Sequence, residues 1–166
     1  MEVICSAYLI REKYEVDIEH PLNKNLLCDI YGVKGEGSFI IEVETGFIPP
    51  ENAIDPQLYW KARIASKIAR YSNYSNRFAL ASPPTTLLPI PKVFLKPPRY
   101  RKKEEVEEIK ELCDFYYSNP PVSFEEILNA RIHHIFIINV DKGNMKLLTP
   151  EDYLNLLKNY FEKIDA

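Results

Sequence analysis

The chain lacks any long apolar segment. Its 166 residues contain no run that approaches the roughly 20 apolar residues needed to span a bilayer. The first residues carry an acid at Glu2 and no basic region of the kind that opens a secretory signal. Hydrophobic residues make up 46% and charged residues 27%, values that are ordinary for a soluble globular protein. We therefore expect one cytoplasmic domain with no membrane partner.

Cysteine and histidine are both scarce. Cys5, Cys28 and Cys113 are odd in number and share no short spacing, which argues against a disulfide framework and against a zinc ribbon. We expect three reduced, buried thiols instead. The adjacent histidines at 133–134 have no third histidine near them in sequence, so they do not indicate a metal site.

A net positive charge is also missing. The net charge is −3, so composition alone does not indicate a nucleic-acid-binding protein. The segment "KVFLKPPRYRKK" (92–103) nevertheless carries six basic residues with two aromatic residues interleaved, a pattern that can hold a phosphate backbone. Its basic residues are Lys92, Lys96, Arg99, Arg101, Lys102 and Lys103. A solvated loop that leads into the charged helix after it is the alternative, and both interpretations stay open.

Hydrophobic periodicity predicts an alternating order of helices and strands in the first half of the chain. The predicted elements are a helix at 2–13, strands at 14–20, 26–33 and 38–45, a helix at 56–76 and a strand at 77–82. The glycines of "KGEG" suit a tight hairpin, and Asp55 and Pro56 suit a helix start. The pattern α-β-β-β-α-β predicts an α/β fold with a mixed sheet and helices against it.

The second half of the chain is predicted to complete the same domain. Residues 83–98 are too rich in proline for regular structure and too apolar for a flexible linker, so we expect them to run over the surface. We divide the chain into a core (1–82), a proline-rich and basic segment (83–103) and a C-terminal α/β extension (104–166). The elements predicted after residue 103 are a charged helix at 103–118, a short helix after Ser123, a strand at 133–140 and a final helix from Thr149.

Three acidic residues fall on one face of the predicted hairpin. If residues 34–37 form its loop, Asp29 lies directly across from Glu42, and Glu44 shares the face of Glu42 two residues further on. Like charges placed opposite each other destabilise a sheet. Such a cluster must bind a cation, hold a raised pKa or point into open water.

Apolar neighbours argue against open water. Residues on the opposite face of the hairpin need covering, and they are Leu26, Cys28, Ile30, Phe39, Ile41 and Val43. The acids share their own face with Leu27, Tyr31 and Ile40. Hard oxygen ligands in a partly dry pocket suit Mg²⁺ or Mn²⁺, and the absence of histidine and cysteine from this face disfavours zinc. Surface acids on a half-exposed hairpin remain the alternative.

The order of elements, with D-x₁₂-E-x-E across the hairpin, resembles the PD-(D/E)XK nuclease superfamily. Archaeal Holliday junction resolvases are nearest in shape. "CDI" (28–30) stands where that family has "PD" and an apolar residue, and "IEVE" (41–44) stands where it has "(D/E)XK". The resemblance covers residues 2–82. It implies a restriction-endonuclease-like αβββαβ core with a mixed sheet, extended here by a C-terminal strand and helices.

The resemblance implies a Mg²⁺- or Mn²⁺-dependent endonuclease that hydrolyses DNA phosphodiester bonds, with the structure selectivity of a resolvase. Asp29, Glu42 and the carbonyl of Val43 would hold the metal. Glu2 would join them, because the resolvases place a glutamate on the first helix. Glu44 stands where the family has its lysine.

Two residues of the helix that follows the motif are candidates for the remaining roles. Lys61 is the candidate to replace the family's lysine, so that Glu44 or Lys61 positions the attacking water. Gln57 lies four residues before Lys61 on the same helix face and would contact the scissile phosphate. Resolvase-like nucleases act as symmetric dimers, so we expect a homodimer on DNA. A catalytically inactive nuclease-fold module that binds nucleic acid or a protein, and an unrelated α/β protein with incidental acids, stay open.

Overall fold

A single mixed sheet organises the chain. The computed structural model describes the backbone of residues 1–164 and the side chains of residues 1–160, and within that range it contains six strands and five α-helices. The strands are β1 (Glu15–Asn23), β2 (Leu26–Lys34), β3 (Gly37–Val43), β4 (Arg77–Ser82), β5 (His134–Asn139) and β6 (Asn144–Leu148). The helices are α1 (Glu2–Arg11), α2 (Pro56–Ser72), α3 (Lys103–Tyr116), α4 (Phe124–Asn129) and α5 (Pro150–Ile164).

The six strands lie side by side in chain order. The pairs β1–β2, β2–β3 and β5–β6 are antiparallel, whereas β3–β4 and β4–β5 are parallel. Parallel neighbours need a crossover connection. Helix α2 provides it between β3 and β4, and a longer segment with α3 and α4 provides it between β4 and β5. The predicted α/β class with a mixed sheet is confirmed, and β6 adds a second C-terminal strand that the sequence did not predict.

Helix α2 begins where the sequence predicted. The Asp55 side chain accepts a hydrogen bond from the Leu58 N–H at 3.0 Å, and Pro56 occupies the first turn, where its missing N–H costs nothing. Ala62, Ala65 and Ala69 are fully buried, so their small side chains let the helix lie close to the sheet. Within residues 1–164, neither α2 nor any other helix is long and apolar enough to cross a membrane.

Apolar side chains form one cluster on each face of the sheet. The smaller cluster lies under α1 and includes Cys5, Leu9 and Ile30. The larger one lies under α2 to α5 and takes members from the core, the segment 83–103 and the extension. Its members from the proline-rich segment are Leu88, Ile90, Val93 and Phe94. Residues 83–98, expected to run over the surface of the domain because they are too apolar for a flexible linker, thus also contribute side chains to the core.

The three cysteines are free and buried, as predicted. Burial raises the pKa of each thiol, Cys5, Cys28 and Cys113, to about 12. Thiols held neutral in this way are poor nucleophiles and poor metal ligands. They therefore pack as small apolar groups.

The predicted hairpin register is confirmed from Val33↔Ser38 to Ile30↔Ile41. At Asp29, the residue before Ile30, the side chains of β2 stop alternating between the two faces of the sheet. Cys28 packs in the larger cluster while Ile30 packs in the smaller one, so these two residues do not share a face as predicted. On the neighbouring strand β1, Ile18 pairs with Ile30 and His20 pairs with Cys28. Glu19, between them, has a φ of 53° and is not among the paired residues. The backbone therefore turns at Asp29, where the candidate site begins.

Candidate active site

The three predicted acids converge on an ammonium group that the sequence did not predict. The Nζ atom of Lys67, on α2, lies 2.8 Å from Oε1 of Glu44 and 2.9 Å from Oε2 of Glu42. It lies 3.6 Å from Oδ2 of Asp29. Two adjacent strands and one helix thus bring four charged groups to a single point.

Where β2 and β3 carry the acids, hydrogen bonds from main-chain amides to side-chain carboxylates replace the main-chain hydrogen bonds of the strand ladder. The Asp29 N–H donates to Oε1 of Glu42 at 2.9 Å, and the Val43 N–H donates to Oδ2 of Asp29 at 2.7 Å. Just after β3, the Glu44 N–H donates a hydrogen bond to the Ala81 carbonyl of β4 at 2.7 Å. The carboxylates of Asp29 and Glu42 are thereby each fixed by a main-chain amide of the neighbouring strand, whereas Glu44 is anchored to β4 through its own amide.

The cluster is buried on one side and open on the other. Glu42 and Glu44 are each 1% exposed, whereas the side chains of Asp29 and Lys67 are 31% and 16% exposed. Solvent or a ligand can therefore reach the cluster from the Asp29 side. Surface acids on a half-exposed hairpin do not describe Glu42 and Glu44.

A second cation fixes Glu44. The Arg63 Nε–H donates to Oε2 of Glu44 at 2.9 Å. Arg63 and Lys67 are four residues apart on α2, a spacing that puts both on one face of a helix. This spacing was the signal in the sequence that could have identified them. The described cluster therefore holds three carboxylates and two cations.

Burial shapes the protonation of the cluster. It raises the pKa of Glu42 to about 7; Lys67 opposes this shift and Asp29 adds to it. Burial alone would lower the pKa of Lys67, but the nearby carboxylates of Glu42, Glu44 and Asp29 raise it above its ordinary value. Lys67 therefore stays charged at neutral pH, while Glu42 changes its charge near neutral pH.

The oxygen ligands of the cluster suit a hard divalent cation that is bound by two carboxylates. They cannot offer all three carboxylates to one ion. Over residues 1–164, no group of three or more His, Cys, Asp or Glu is arranged to hold a metal ion, and Lys67 Nζ takes the point where the three carboxylates meet. Asp29, Glu42 and the Val43 carbonyl remain as hard oxygen donors, and Mg²⁺ commonly takes only one or two carboxylates together with waters and phosphate. Both carboxylate oxygens of Glu44 already face a cation, Oε1 the ammonium of Lys67 and Oε2 the guanidinium of Arg63, so Glu44 is not available as a metal ligand.

The other predicted residues make no described contact with this cluster, although the charges of Glu2 and Asp29 both act on Cys5. Glu2 is exposed at the start of α1, the helix that covers the smaller cluster on the opposite face of the sheet. Gln57 is exposed in the first turn of α2. Lys61 lines a groove with Glu105 and Glu108 of α3, and no ion pair within the described residues joins it to the acids. Helix α2 thus presents Arg63 and Lys67 to the acids in place of Gln57 and Lys61.

The basic segment does not form one uniform patch. Its exposed members are Lys92, Arg99, Lys102 and Lys103. Lys96 pairs with Glu105, and Lys103 pairs with Glu107 at 3.3 Å. Arg101 is 8% exposed and bonds to main-chain carbonyls, so it has a structural role. Only part of the segment is placed to meet a nucleic acid.

The site is a pre-organised acidic cluster with a fixed ammonium and one open side. It can hold a hard cation next to Asp29 and keep a positive charge beside whatever that cation binds. Comparison with known proteins finds no matching family model, no matching curated protein and no matching solved structure.

Proposed function

We propose that this protein is a Mg²⁺- or Mn²⁺-dependent endonuclease that hydrolyses DNA phosphodiester bonds. Its main support is the convergence of Asp29, Glu42 and Lys67 at one solvent-open point of the sheet. Two carboxylates can hold the metal ion that activates a water for phosphodiester hydrolysis, and an ammonium can stabilise the charge that develops on the phosphate. The geometry supports this function better than it supports a zinc enzyme, since neither histidine nor a reactive thiol lies in the cluster.

The order and direction of the elements support a restriction-endonuclease-like core. Helix α1 precedes three antiparallel strands, and α2 crosses over to β4, which pairs with β3 in parallel. Asp29 lies within β2, and Glu42 and Glu44 lie at the end of β3; these are the strands that carry "PD" and "(D/E)XK" in the resembled family. The αβββαβ arrangement of residues 2–82 is therefore part of the proposal.

Lys67 is proposed to take the role of the lysine that Glu44 displaces. Its Nζ contacts Glu44 itself, so an ammonium still reaches this end of β3, from the helix rather than from the strand. Because its pKa is raised, Lys67 keeps its proton. It is suited to orient a water and to stabilise negative charge that develops on a phosphate, and not to act as a base.

Main-chain amides of β2 and β3 keep the catalytic groups in place. A divalent ion held by Asp29, Glu42 and the Val43 carbonyl would lower the pKa of a bound water and neutralise charge on the phosphate. The amides of Asp29 and Val43 already fix the two carboxylates before any ligand arrives. Little side-chain entropy is then lost on binding, which favours catalysis by pre-organisation.

The proposed function predicts cleavage in a panel assay. Purified protein incubated with duplex, branched, flap and single-stranded DNA should cut at least one of them with Mg²⁺ or Mn²⁺, and EDTA should abolish the cutting because the metal activates the water. Gel electrophoresis of end-labelled strands measures the products. Intact DNA in every arm, with both metals and with protein shown to be folded, would rule out a deoxyribonuclease.

Metal affinity is predicted to rise with pH until Glu42 is ionised. A carboxylate must lose its proton to bind a metal, and the pKa of Glu42 is about 7. Affinity for Mn²⁺ should increase about tenfold per pH unit below that value and level off about one unit above it. Calorimetric titration across this range measures the change.

The matched control for this titration is Glu42→Gln, which keeps the size of the side chain and removes the ionisable group. It should bind Mn²⁺ weakly and with no step near pH 7. An affinity that does not change with pH in the original protein would show that Glu42 is not a ligand.

A catalytically inactive binding module is the second candidate. It is favoured by the two cations already present, since Lys67 and Arg63 neutralise much of the acidic cluster, and by Glu44 in the place of the family's lysine. Such a module would bind DNA or a protein without needing a metal. Binding of DNA with no detectable Mn²⁺ binding would support it over the enzyme.

The homodimer and the cytoplasmic location belong to the same proposal. Two-fold symmetric dimers suit a substrate with two equivalent strands to cut. Helix α1 offers exposed apolar side chains for an interface, with Val3 75% and Ile10 58% exposed. The three free thiols are compatible with a reducing compartment.

A further inference from the structure

A second site with the opposite charge lies at the other end of β4. A cavity of about 540 Å³ opens beside the start of β5, between the segment 83–103 and the end of α4. Its charged and titratable lining residues are Lys96, Arg99, Arg101, Arg131 and His133. None of the described residues that line it is acidic. Lys96 is paired with Glu105, so the charges without a carboxylate partner among the described residues are Arg99, Arg101 and Arg131, and a concave surface lined by them attracts anions.

Arg101 forms the rigid floor of the cavity. Its guanidinium donates to the carbonyls of Ile127 at 2.8 Å, Leu128 at 2.7 Å and Ala130 at 2.6 Å, at the C-terminal end of α4. Nε–H donates to the Lys96 carbonyl at 3.0 Å. Among the described residues no carboxylate pairs with Arg101. Its buried positive charge is therefore compensated by carbonyl dipoles and by the face of the Phe94 ring, 5.5 Å away, and by no anionic group among the described residues, so it still attracts an anion.

Three further groups surround that floor. Neither Arg99 nor Arg131 takes part in an ion pair within the described part of the chain, and both are exposed. The Phe78 N–H donates to Nδ1 of His133 at 3.1 Å, so neutral His133 carries its proton on Nε2. That leaves Nε2–H as a donor. Burial lowers the pKa of His133, and His134, Arg131 and Arg77 add to the effect, which is a further sign of a positive environment.

The cavity is separate from the acidic cluster. His133 bonds to Phe78 near the start of β4, whereas Glu44 bonds to Ala81 near its end. Three residues along a strand correspond to about 10 Å. A ligand in the cavity therefore does not contact Lys67 or the carboxylates.

We propose that this cavity binds a phosphate group through Arg99, Arg131 and His133, above the fixed charge of Arg101. Two exposed guanidinium groups can bind one phosphate with paired hydrogen bonds, which neither lysine nor water provides. The phosphate can belong to a DNA backbone or to a small phosphate-bearing molecule. The first source rests on the proposed function, since it makes the cavity a contact for substrate DNA away from the cut; the second does not.

Ligand titrations in the presence of EDTA test the cavity alone, because no metal ion is then available to the acidic cluster. The probes are inorganic phosphate, pyrophosphate and a short single-stranded oligonucleotide, each added to the whole protein in a calorimeter. Arg131→Gln should weaken binding of the effective probe at least about tenfold, because it removes charged hydrogen bonds at an exposed position. Arg11→Gln makes the same change on α1, outside the cavity, and should alter affinity less than about twofold.

The arms also identify the source of the phosphate. Binding of the oligonucleotide but not of the small anions assigns the cavity to DNA, and the reverse result assigns it to a small phosphate-bearing ligand. Absence of binding by all three probes, or an equal loss in Arg131→Gln and Arg11→Gln, would overturn the proposal. Because inorganic phosphate and pyrophosphate are titrated without a metal, the cavity can fail or succeed independently of the nuclease.

Discussion

Replacement of Lys67 by methionine is expected to lower the midpoint of thermal unfolding by about 10 °C. Methionine keeps much of the aliphatic stem but leaves Glu42 and Glu44, each 1% exposed, with Arg63 as their remaining cation. Removing one partner of a buried ion pair costs about 3–5 kcal/mol, and for a chain of this size each kcal/mol corresponds to about 2–4 °C. Calorimetry or circular dichroism at a mildly alkaline pH measures the change.

The loss should be smaller in acid. The pKa of Glu42 is about 7, so below that pH its carboxyl takes up a proton and no longer needs Lys67 as a partner. The folded-state pKa lies above the value in the unfolded chain, so protonation stabilises the fold and this contribution is lost as pH rises through about 7. The variant and the original protein should therefore converge as the pH falls towards 5.

Lys61→Met is the matched control, because it makes the same change on the same helix in the groove under α3. It should shift the midpoint by only a few degrees. Mn²⁺ should raise the midpoint of the Lys67→Met variant more than that of the original protein, since the metal can then take the vacated position among the carboxylates. A midpoint for Lys67→Met equal to that of Lys61→Met would show that the acids do not depend on this lysine.

Replacement of Asp29 by asparagine is expected to reduce metal-dependent DNA cleavage about 10²–10³-fold, the usual cost of removing one group that stabilises the transition state. Asparagine keeps an oxygen that can accept the Val43 N–H, and Asp29 is half-exposed, so the fold should be little affected. Loss of activity can then be assigned to the lost charge. Initial rates with the best DNA of the panel measure the effect.

Asp17→Asn provides the control on the neighbouring strand. Asp17 lies on β1 opposite Tyr31, and its exposed side chain contacts His20. Its substitution should leave cleavage within about twofold, as expected for a surface pair. Equal rates for Asp29→Asn and the original protein would place the cleavage elsewhere, in another site or in a contaminating nuclease.

The sequence predicted the strands of the site better than the helix. The register of the hairpin followed from the alternation of apolar residues along β2 and β3 and from the glycines of their loop. That register correctly brought Asp29 and Glu42 together. The break at Asp29 was not predictable, because it depends on side chains that replace the ladder. β6 was missed because its short segment has no strong alternation and lies at the sheet edge.

Lys67 was missed because a sequence does not determine the rotation of a helix against its sheet. Lys61 and Lys67 are six residues apart, and at about 100° per residue they lie on different sides of α2. Arg63 and Lys67 share a face, but only the packed structure shows that this face meets β3. The resemblance to a family favoured Lys61 by position alone.

The location of the two charged sites makes the molecule an electric dipole along β4. The acidic cluster lies at the carboxyl end of that strand, and the cavity lined by Arg99, Arg131 and His133 lies at its amino end. A net charge of −3 repels a polyanion at long range, so DNA should meet the positive end first. Phe78 and Ala81, the residues of β4 that bond to His133 and Glu44, are about 10 Å apart along the strand, close to the Debye length in about 0.1 M salt. At ordinary ionic strength each end would therefore respond to its own proposed ligand, and only at low salt would the field of the whole protein orient the approach of DNA.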